Sequence, residues 1–405
     1  MNEKQKVAVL FGGRSPEHDI SIVTGLQTLQ AIDTSKYDPF PVYLDTDGVW
    51  WTGDVLRERS NYLLTETMKN KLTAVRLDLA HHRKGILYPL RSSFFKIRQP
   101  IVFDIALPAF HGLIGEDGGI QGVFETAGIP YTGMRLLSSS LLMDKVITKN
   151  VLRQVNIPVL PCTVIAKPDQ GLLLEPTQLD RVCSDITFPA CIKPRFLGSS
   201  LGVAKVNSAG ELNAVLPRIF KYDSHAVLEP FVDNLVEYNI AVRRSGADIV
   251  CSAIEMPKRS DELLDFKQKY CSGGTENWGS KGKAGSKTTM LSEGMLSLTR
   301  EIDPKLNQQD IQNIQRWAKT AFQAVDGTGA PRMDFLSNQK TGEIWLNEVN
   351  PIPGSFGFFL WEAAEKSLLF TELLNCLLEE AVGQAKLRKL PHDPVPEEGR
   401  LFVRR

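Results

Sequence analysis

The stretch from Val7 to Leu44 constrains the fold most tightly. Val7-Ala8-Val9-Leu10-Phe11 is an uninterrupted apolar run, the pattern of a strand buried on both faces in a parallel sheet. Gly12-Gly13-Arg14-Ser15-Pro16 is turn chemistry, and Ile20, Val23, Leu26, Leu29 and Ile32 then recur at helical spacing. Phe40 to Leu44 supplies a second strand, and Ile101 to Pro108 reads as a third. Strand, helix and strand in this order predict an α/β unit with a parallel sheet and crossover helices. Residues 51–99 have no clear period and read as an elaboration of this unit.

The pattern changes near Ser138. Leu141 to Val155 predicts one helix carrying Lys145 and Lys149. Phe188 to Lys193, Gly202 to Val206 and His225 to Phe231 predict strands of a different, antiparallel sheet, continued by Ile240 to Arg243 and Ile249 to Ile254. Gln308 to Val325 is an amphipathic helix, Arg332 to Leu336 and Glu343 to Asn347 flank a turn, and Leu368 to Ala385 is a last helix. The expected division is an N-terminal α/β unit over 1–137, a central unit over 138–228, a C-terminal unit over 229–386 and a tail over 387–405.

Composition narrows the function classes. With 42% hydrophobic and 23% charged residues, long disorder is not expected. Forty-seven basic residues balance 47 acidic ones, so no basic excess points to nucleic acid. No apolar run reaches the roughly 18 residues of a membrane span, and no leader pattern stands at the start. Six cysteines without a CxxC pair make no disulfide framework or zinc site. The expectation is a cytoplasmic protein without nucleic-acid or membrane partners.

Several clusters carry chemistry. Arg332-Met333-Asp334 and Asn347-Glu348-Val349-Asn350 lie on facing strands, where alternate residues share a face. Asp334, Glu348 and Asn350 would then meet as hard oxygen ligands suited to Mg²⁺ with phosphate oxygens. Polar strand ends around a turn are the plainer reading. Lys193 ends a strand before Gly198-Ser199-Ser200-Leu201-Gly202, which suits either a phosphate loop or an ordinary hairpin. Glu229 and Glu237 flank Pro230-Phe231-Val232; they could accept from ribose while the backbone reads a base edge, or be solvated strand ends. Gly112, Gly115, Gly118, Gly119 and Gly122 follow the third strand, where open α/β sheets place ligands.

In this order, the motifs resemble the D-alanine–D-alanine ligase family of ATP-grasp enzymes. Phe11-Gly12-Gly13-Arg14-Ser15-Pro16-Glu17-His18 resembles its N-terminal signature. His111-Gly112 with Gly115-Glu116-Asp117-Gly118 and Gln121-Gly122 resembles the second signature, and Met143-Asp144-Lys145 with Thr148-Lys149 the start of the ATP-binding part. The resemblance implies an ATP-grasp fold in which two α+β domains sandwich ATP behind an N-terminal α/β domain. It implies Lys145 and Lys193 at the phosphates, Glu229 and Glu237 at adenine and ribose, and Phe231 and Val232 lining the base. It places two Mg²⁺ ions, or Mn²⁺ in their stead, on Asp334, Glu348 and Asn350, with Arg332 facing the transferred phosphoryl group. Asp265 to Tyr270 resembles the closing loop, with Lys269 reaching phosphate and Tyr270 sealing the acceptor pocket. Glu17 would hold the first ammonium, with Ser199 and Tyr270 bonded to it, and Gly354 would offer its N–H to an oxyanion.

The implied reaction is ATP-dependent joining of two D-alanines through an acyl phosphate, for peptidoglycan precursors, by a homodimer. One departure stands out. Pro351 to Trp361 lacks the family's Ser/Thr-rich stretch, and Phe359 occupies the position of the hydroxyl that binds the second alanine's carboxylate. A related ligase making a different dipeptide or amide is therefore the alternative, and a non-catalytic nucleotide-binding regulator is a third reading.

Overall fold

The computed structural model describes residues 4–62, 66–90, 99–184, 186–198, 201–258, 300–388, 395–396 and 399–400. The Asp265-to-Tyr270 loop and most of the tail lie outside them.

The chain opens with β1 (Gln5–Gly12), α1 (His18–Ala31) and β2 (Tyr37–Leu44). β1 lies between β2 and β7 (Ile105–Pro108) and pairs parallel with both. Its unbroken apolar run has a physical reason. Val7, Val9 and Phe11 enter the core that contains α1, while Ala8 and Leu10 enter the core on the opposite face. The sheet is less parallel than the sequence suggests. β3 (Trp50–Thr52), β4 (Thr73–Leu77), β5 (Gly85–Pro89) and β6 (Ile101–Phe103) continue it from β2 by antiparallel pairing.

The predicted strand Ile101 to Pro108 is in fact two strands, β6 and β7, at opposite edges of the seven-stranded sheet. The break is Asp104, whose carboxylate takes the Lys6 N–H at 2.8 Å and pairs with Lys84 at 2.8 Å. The predicted helix Leu141 to Val155 likewise divides. After α2 (Glu66–Lys69) and α3 (Gly119–Ala127), α4 (Leu136–Met143) stops and α5 (Lys145–Gln154) restarts at Asp144. Asp144 caps α5 by accepting from the Val146 and Ile147 N–H groups at 2.9 and 3.2 Å. The Arg195 guanidinium, bound to both carboxylate oxygens, fixes this cap.

A four-stranded antiparallel sheet follows, in the order β10 (Ala204–Val206), β9 (Ala190–Pro194), β11 (His225–Pro230) and β8 (Thr163–Ala166). Helices α6 (Pro176–Cys183) and α7 (Ala209–Phe220) accompany it, and Leu212, Leu216, Ile219 and Phe220 of α7 are buried in its core. The third sheet is antiparallel throughout. Its order is β14 (Arg300–Ile302), β13 (Asp248–Pro257), β12 (Leu235–Ser245), β15 (Arg332–Asn338) and β16 (Ile344–Asn350). Helix α8 (Gln308–Ala324) packs through Ile314, Ala318, Ala321 and Phe322 into the core of this sheet.

The last helices, α9 (Phe358–Glu362) and α10 (Phe370–Leu387), do not stay with the third sheet. Leu373, Leu374, Leu377 and Leu378 of α10 share the core of Val7, Val9 and Phe11. The first and last parts of the chain are therefore one hydrophobic unit. Glu380 of α10 accepts the Gly329 N–H at 2.7 Å. Burial raises its carboxyl to about 7, against the attraction of Arg244, Arg243 and Arg135. A raised carboxyl favours the fold most below its unfolded value of about 4.5, and this advantage is lost as pH climbs through about 7. Glu380→Gln, which mimics the protonated acid, is expected to stabilise the protein at pH 8 by on the order of 3 kcal/mol. At pH 4 it should change little. Urea unfolding at both pH values checks this, and equal effects at the two would exclude the titration.

Candidate active site

Between the second and third sheets lies a cleft of about 870 Å³, open solvent included. Lys145, Lys193, Glu229, Phe231, Val232, Glu237, Asp334 and Glu348 line it, with Leu160, Leu197, Val203 and Leu336 as apolar wall. The cleft thus brings together most of the residues to which the sequence assigns phosphate, base and metal.

Its charge is organised around a buried triad. Glu229, 1% exposed, lies between the ammoniums of Lys149 at 3.0 Å and Lys193 at 2.8 Å. Burial would raise its carboxyl, but Lys193 and Lys149 outweigh this and hold it below the usual range. Oε2 faces Lys193 and Oε1 faces Lys149, so Glu229 contributes charge pairing here. Lys193 also donates to Asn347 Oδ1 at 2.9 Å, a contact between the two sheets. Lys145 sits one helical turn from Lys149 on α5, on the same face, and donates to the Leu197 carbonyl. At the apolar end the Phe231 N–H is already given to the Pro189 carbonyl at 3.2 Å. Any base edge at this segment is therefore left the Phe231 carbonyl and the Val232 backbone.

The acidic wall follows from strand register. Asp334 on β15 lies opposite Glu348 on β16, and Arg332 opposite Asn350. With a two-residue period, all four side chains share one face. Arg332 grips both oxygens of Asp334 at 2.6 and 2.7 Å, and Asn350 Nδ2 donates to Asp334 at 2.8 Å. The register extends the row across the sheet, with Asp334 opposite Asn239 and Asn239 opposite Glu255. Among the described residues no group of three or more His, Cys, Asp or Glu could hold a metal by itself. The donor set of two carboxylates and an amide suits Mg²⁺, which draws its remaining oxygens from phosphate and water. Asp334 would then exchange its arginine for the cation.

A second polar cluster comes from the first sheet. Glu17, 7% exposed, lies under two glycines: a Cβ on Gly112 would meet its Oε2 at 2.5 Å and one on Gly198 at 3.4 Å. Gly112 also has φ +72°, so it is required twice over. Glu116 accepts the Gly112 N–H at 2.6 Å and the Ile352 N–H at 3.0 Å, joining the first sheet to the segment after Asn350. Burial, then repulsion from Glu17, raises its carboxyl to about 8. His111, fully buried with Nε2 2.7 Å from Thr24 Oγ1, is lowered to about 4 by burial and is therefore neutral. Gly354 opens a turn in which Ser355, Phe356 and Gly357 all have positive φ (49, 56 and 60°). The Ser355 N–H donates to Thr24 Oγ1 at 3.2 Å, tying this turn to α1. A Cβ on Gly354 would meet nothing within 4 Å, so this residue faces open space. Ser199, Lys269 and Tyr270 lie outside the described residues.

Sequence reasoning gave no site role to Lys149, Glu116 or Asn347. Lys149 and Glu116 stood within quoted motifs, and their burial only becomes visible once the partners are placed.

Three sheets, with a lysine-and-carboxylate cleft between the second and third, define an enzyme of the ATP-grasp class. The family model for the D-ala D-ala ligase N-terminus matches residues 6–134, and that for the D-ala D-ala ligase C-terminus matches 151–290 and 292–379. A D-alanine–D-alanine ligase of Thermosipho africanus is 33% identical over 385 residues, 95% of each chain. One of Geobacillus kaustophilus is 30% identical, covering 94% of this chain and 95% of that one. The D-alanine-D-alanine ligase structure from Coxiella burnetii superposes with TM-score 0.73 at 25% identity, covering 95% of this chain and 96% of that one. The VanG D-Ala:D-Ser ligase of Enterococcus faecalis superposes with TM-score 0.70 at 25% identity, covering 95% and 100%. The chain belongs to the D-alanine–D-alanine ligase family.

Proposed function

We propose that this protein joins two D-alanines in an ATP-dependent, ADP-forming reaction that supplies D-alanyl-D-alanine for peptidoglycan. The observation that carries the reading is the cleft itself: Lys145 and Lys193 face Asp334 and Glu348 across it, next to the Phe231–Val232 segment. The family is ATP-dependent, and the donor set suits a divalent cation, which when bound neutralises the phosphate charge that develops during transfer. We assign two such ions to Asp334, Glu348 and Asn350. Lys145 and Lys193 hold phosphate oxygens, and Arg332 turns to the transferred phosphoryl group once released from Asp334. Phosphoryl transfer to the carboxylate of the first D-alanine gives an acyl phosphate; the amine of the second attacks it and phosphate leaves. Glu17 takes the first ammonium, Glu237 the ribose, and Gly354 offers its N–H to the oxyanion, a donor worth about 3 kcal/mol in comparable sites. Ser199 and Tyr270 are assigned to the hydrogen-bonded link with Glu17, and Lys269 to phosphate.

For the chain's division we propose units over 1–137, 138–228 and 229–386 and a tail over 387–405. We further propose a cytoplasmic homodimer. Among the described residues no helix is long and apolar enough to cross a membrane.

The test is phosphate release from ATP with Mg²⁺ across D- and L-amino acids, with products identified by mass. D-alanine-dependent release with D-alanyl-D-alanine as product is expected. ATP binding without turnover on any amino acid would point instead to a non-catalytic regulator. A second reading has a specific observation behind it. Phe359 stands where the family has a hydroxyl, so a mixed dipeptide as the main product would place the difference in the acceptor pocket.

A further inference from the structure

Arg300, the first residue of β14, lies opposite Pro257 of β13, and Ile302 lies opposite Glu255. Period two therefore puts Arg300 on the face of Glu255, the face that also carries Asn239, Asp334 and Glu348. Arg300 pairs with Glu255 at 3.0 Å, and Asn239 Nδ2 donates to the other oxygen of Glu255 at 3.0 Å. Glu255 is 2% exposed, so this clamp is dry. The guanidinium stands 4.0 Å from the centroid of the Phe359 ring, the contact of a cation with an aromatic face. Arg300 Nε is buried and has no hydrogen-bond partner among the described residues. The charge of Arg332 also bears on it: burial and then, against the pull of Glu255, the Arg332 charge keep Arg300 below the usual arginine range.

Arg332 is taken up by Asp334 and one arm of Arg300 by Glu255, but the buried Arg300 Nε–H is accepted by no described group, which leaves this guanidinium a donor to offer. The aromatic ring at 359 is then not merely a lost hydroxyl. It is a platform that positions a guanidinium, and a planar fork suits a carboxylate better than a hydroxyl does. We propose that Arg300, clamped by Glu255 and stacked on Phe359, binds the carboxylate of the acceptor amino acid and sets the requirement for that group. This rests on the ligase reading above. In this arrangement Arg300 touches the acceptor, whereas Glu255 and Phe359 are positioning residues.

The test is two-substrate kinetics on the full chain with D-alanine and, as an acceptor lacking the carboxylate, D-alaninamide. Arg300→Gln is expected to raise the acceptor KM at least about tenfold, the loss expected for one charge-assisted contact, with the ATP and donor KM within about twofold. Discrimination between D-alanine and D-alaninamide should collapse by a similar factor. Glu255→Gln should raise the acceptor KM alone, and should add little on top of Arg300→Gln. If Arg300→Gln does not fold, Arg300→Lys decides: it keeps a cation without the fork and should show an intermediate acceptor KM. An unchanged acceptor KM, or equal rises in all three KM values, would overturn the inference while leaving the ligase reading intact. No dipeptide from the unaltered protein with any D-amino acid would overturn that reading, and this inference with it.

Discussion

Glu229→Gln is expected to destabilise the protein by about 3–5 kcal/mol, the usual effect of removing one partner from a buried ion pair. Lys149 has a side chain of 0% exposure, and among the described residues its partner besides Glu229 is the Leu160 carbonyl, at 3.4 Å. Glutamine keeps the shape and removes the charge, which leaves two buried ammoniums without their counter-ion. Lys193 retains Asn347, so the larger penalty falls on Lys149. The effect depends on pH with a definite sign. Glu229 is held below its unfolded value of about 4.5, so its contribution is full above that pH and is lost as pH falls through the folded value. The gap between wild type and variant should therefore be wide at pH 7 and should narrow in acid. Urea unfolding at pH 7 and at successively lower pH below 4.5 measures both. A gap below about 1 kcal/mol at pH 7, the range of exposed pairs, would show that water reaches the triad.

This triad also shows why part of the site could be read in the sequence and part could not. Asp334, Glu348 and Asn350 were legible because strand period alone places them on one face, and two strands joined by a short turn must pair. The apolar run of β1 was legible for the same kind of reason: no local pattern but a strand buried on both faces explains it. Lys149 and Glu229 lie far apart in the chain, on a helix and on a strand of another motif. Nothing local distinguishes that lysine from a solvated one. The breaks at Asp104 and Asp144 escaped for a related reason. Each is an acidic residue inside an apolar or helical pattern, and its carboxylate takes backbone N–H groups while a distant cation holds it, Lys84 for one and Arg195 for the other. Glu255 and Arg300 fall outside every strand read from the sequence, and their pairing shows only once β14 is laid beside β13. What stays hidden is the long-range partner of a charged residue, and buried charge is where the chemistry of this cleft resides.

Glu348→Gln is expected to lower Mg²⁺-dependent turnover at least about a hundredfold, about 2.7 kcal/mol of transition-state stabilisation. The fold should tolerate it. Glu348 is only half-buried on β16, and glutamine fills the same space opposite Asp334. What changes is charge. The carboxylate is one of two on the acidic wall, and an amide oxygen is a far weaker ligand for a hard cation. Its negative charge also supports the ammoniums across the cleft, since Glu348 raises both Lys145 and Lys193 against the burial that lowers them. With the carboxylate gone the variant should need more Mg²⁺ for half-maximal rate, while nucleotide binding in a chelator should not weaken, because one negative charge fewer faces the phosphates. A structural role alone would not raise the Mg²⁺ requirement. Titration of the rate with Mg²⁺, nucleotide binding in a chelator and a thermal melt separate the cases. Turnover within about fivefold of wild type, with an unchanged Mg²⁺ dependence, would remove Glu348 from the metal site. Asp334 and Asn350 would then be left too few to hold two ions, because Arg332 and Asn350 both already bond to the Asp334 carboxylate.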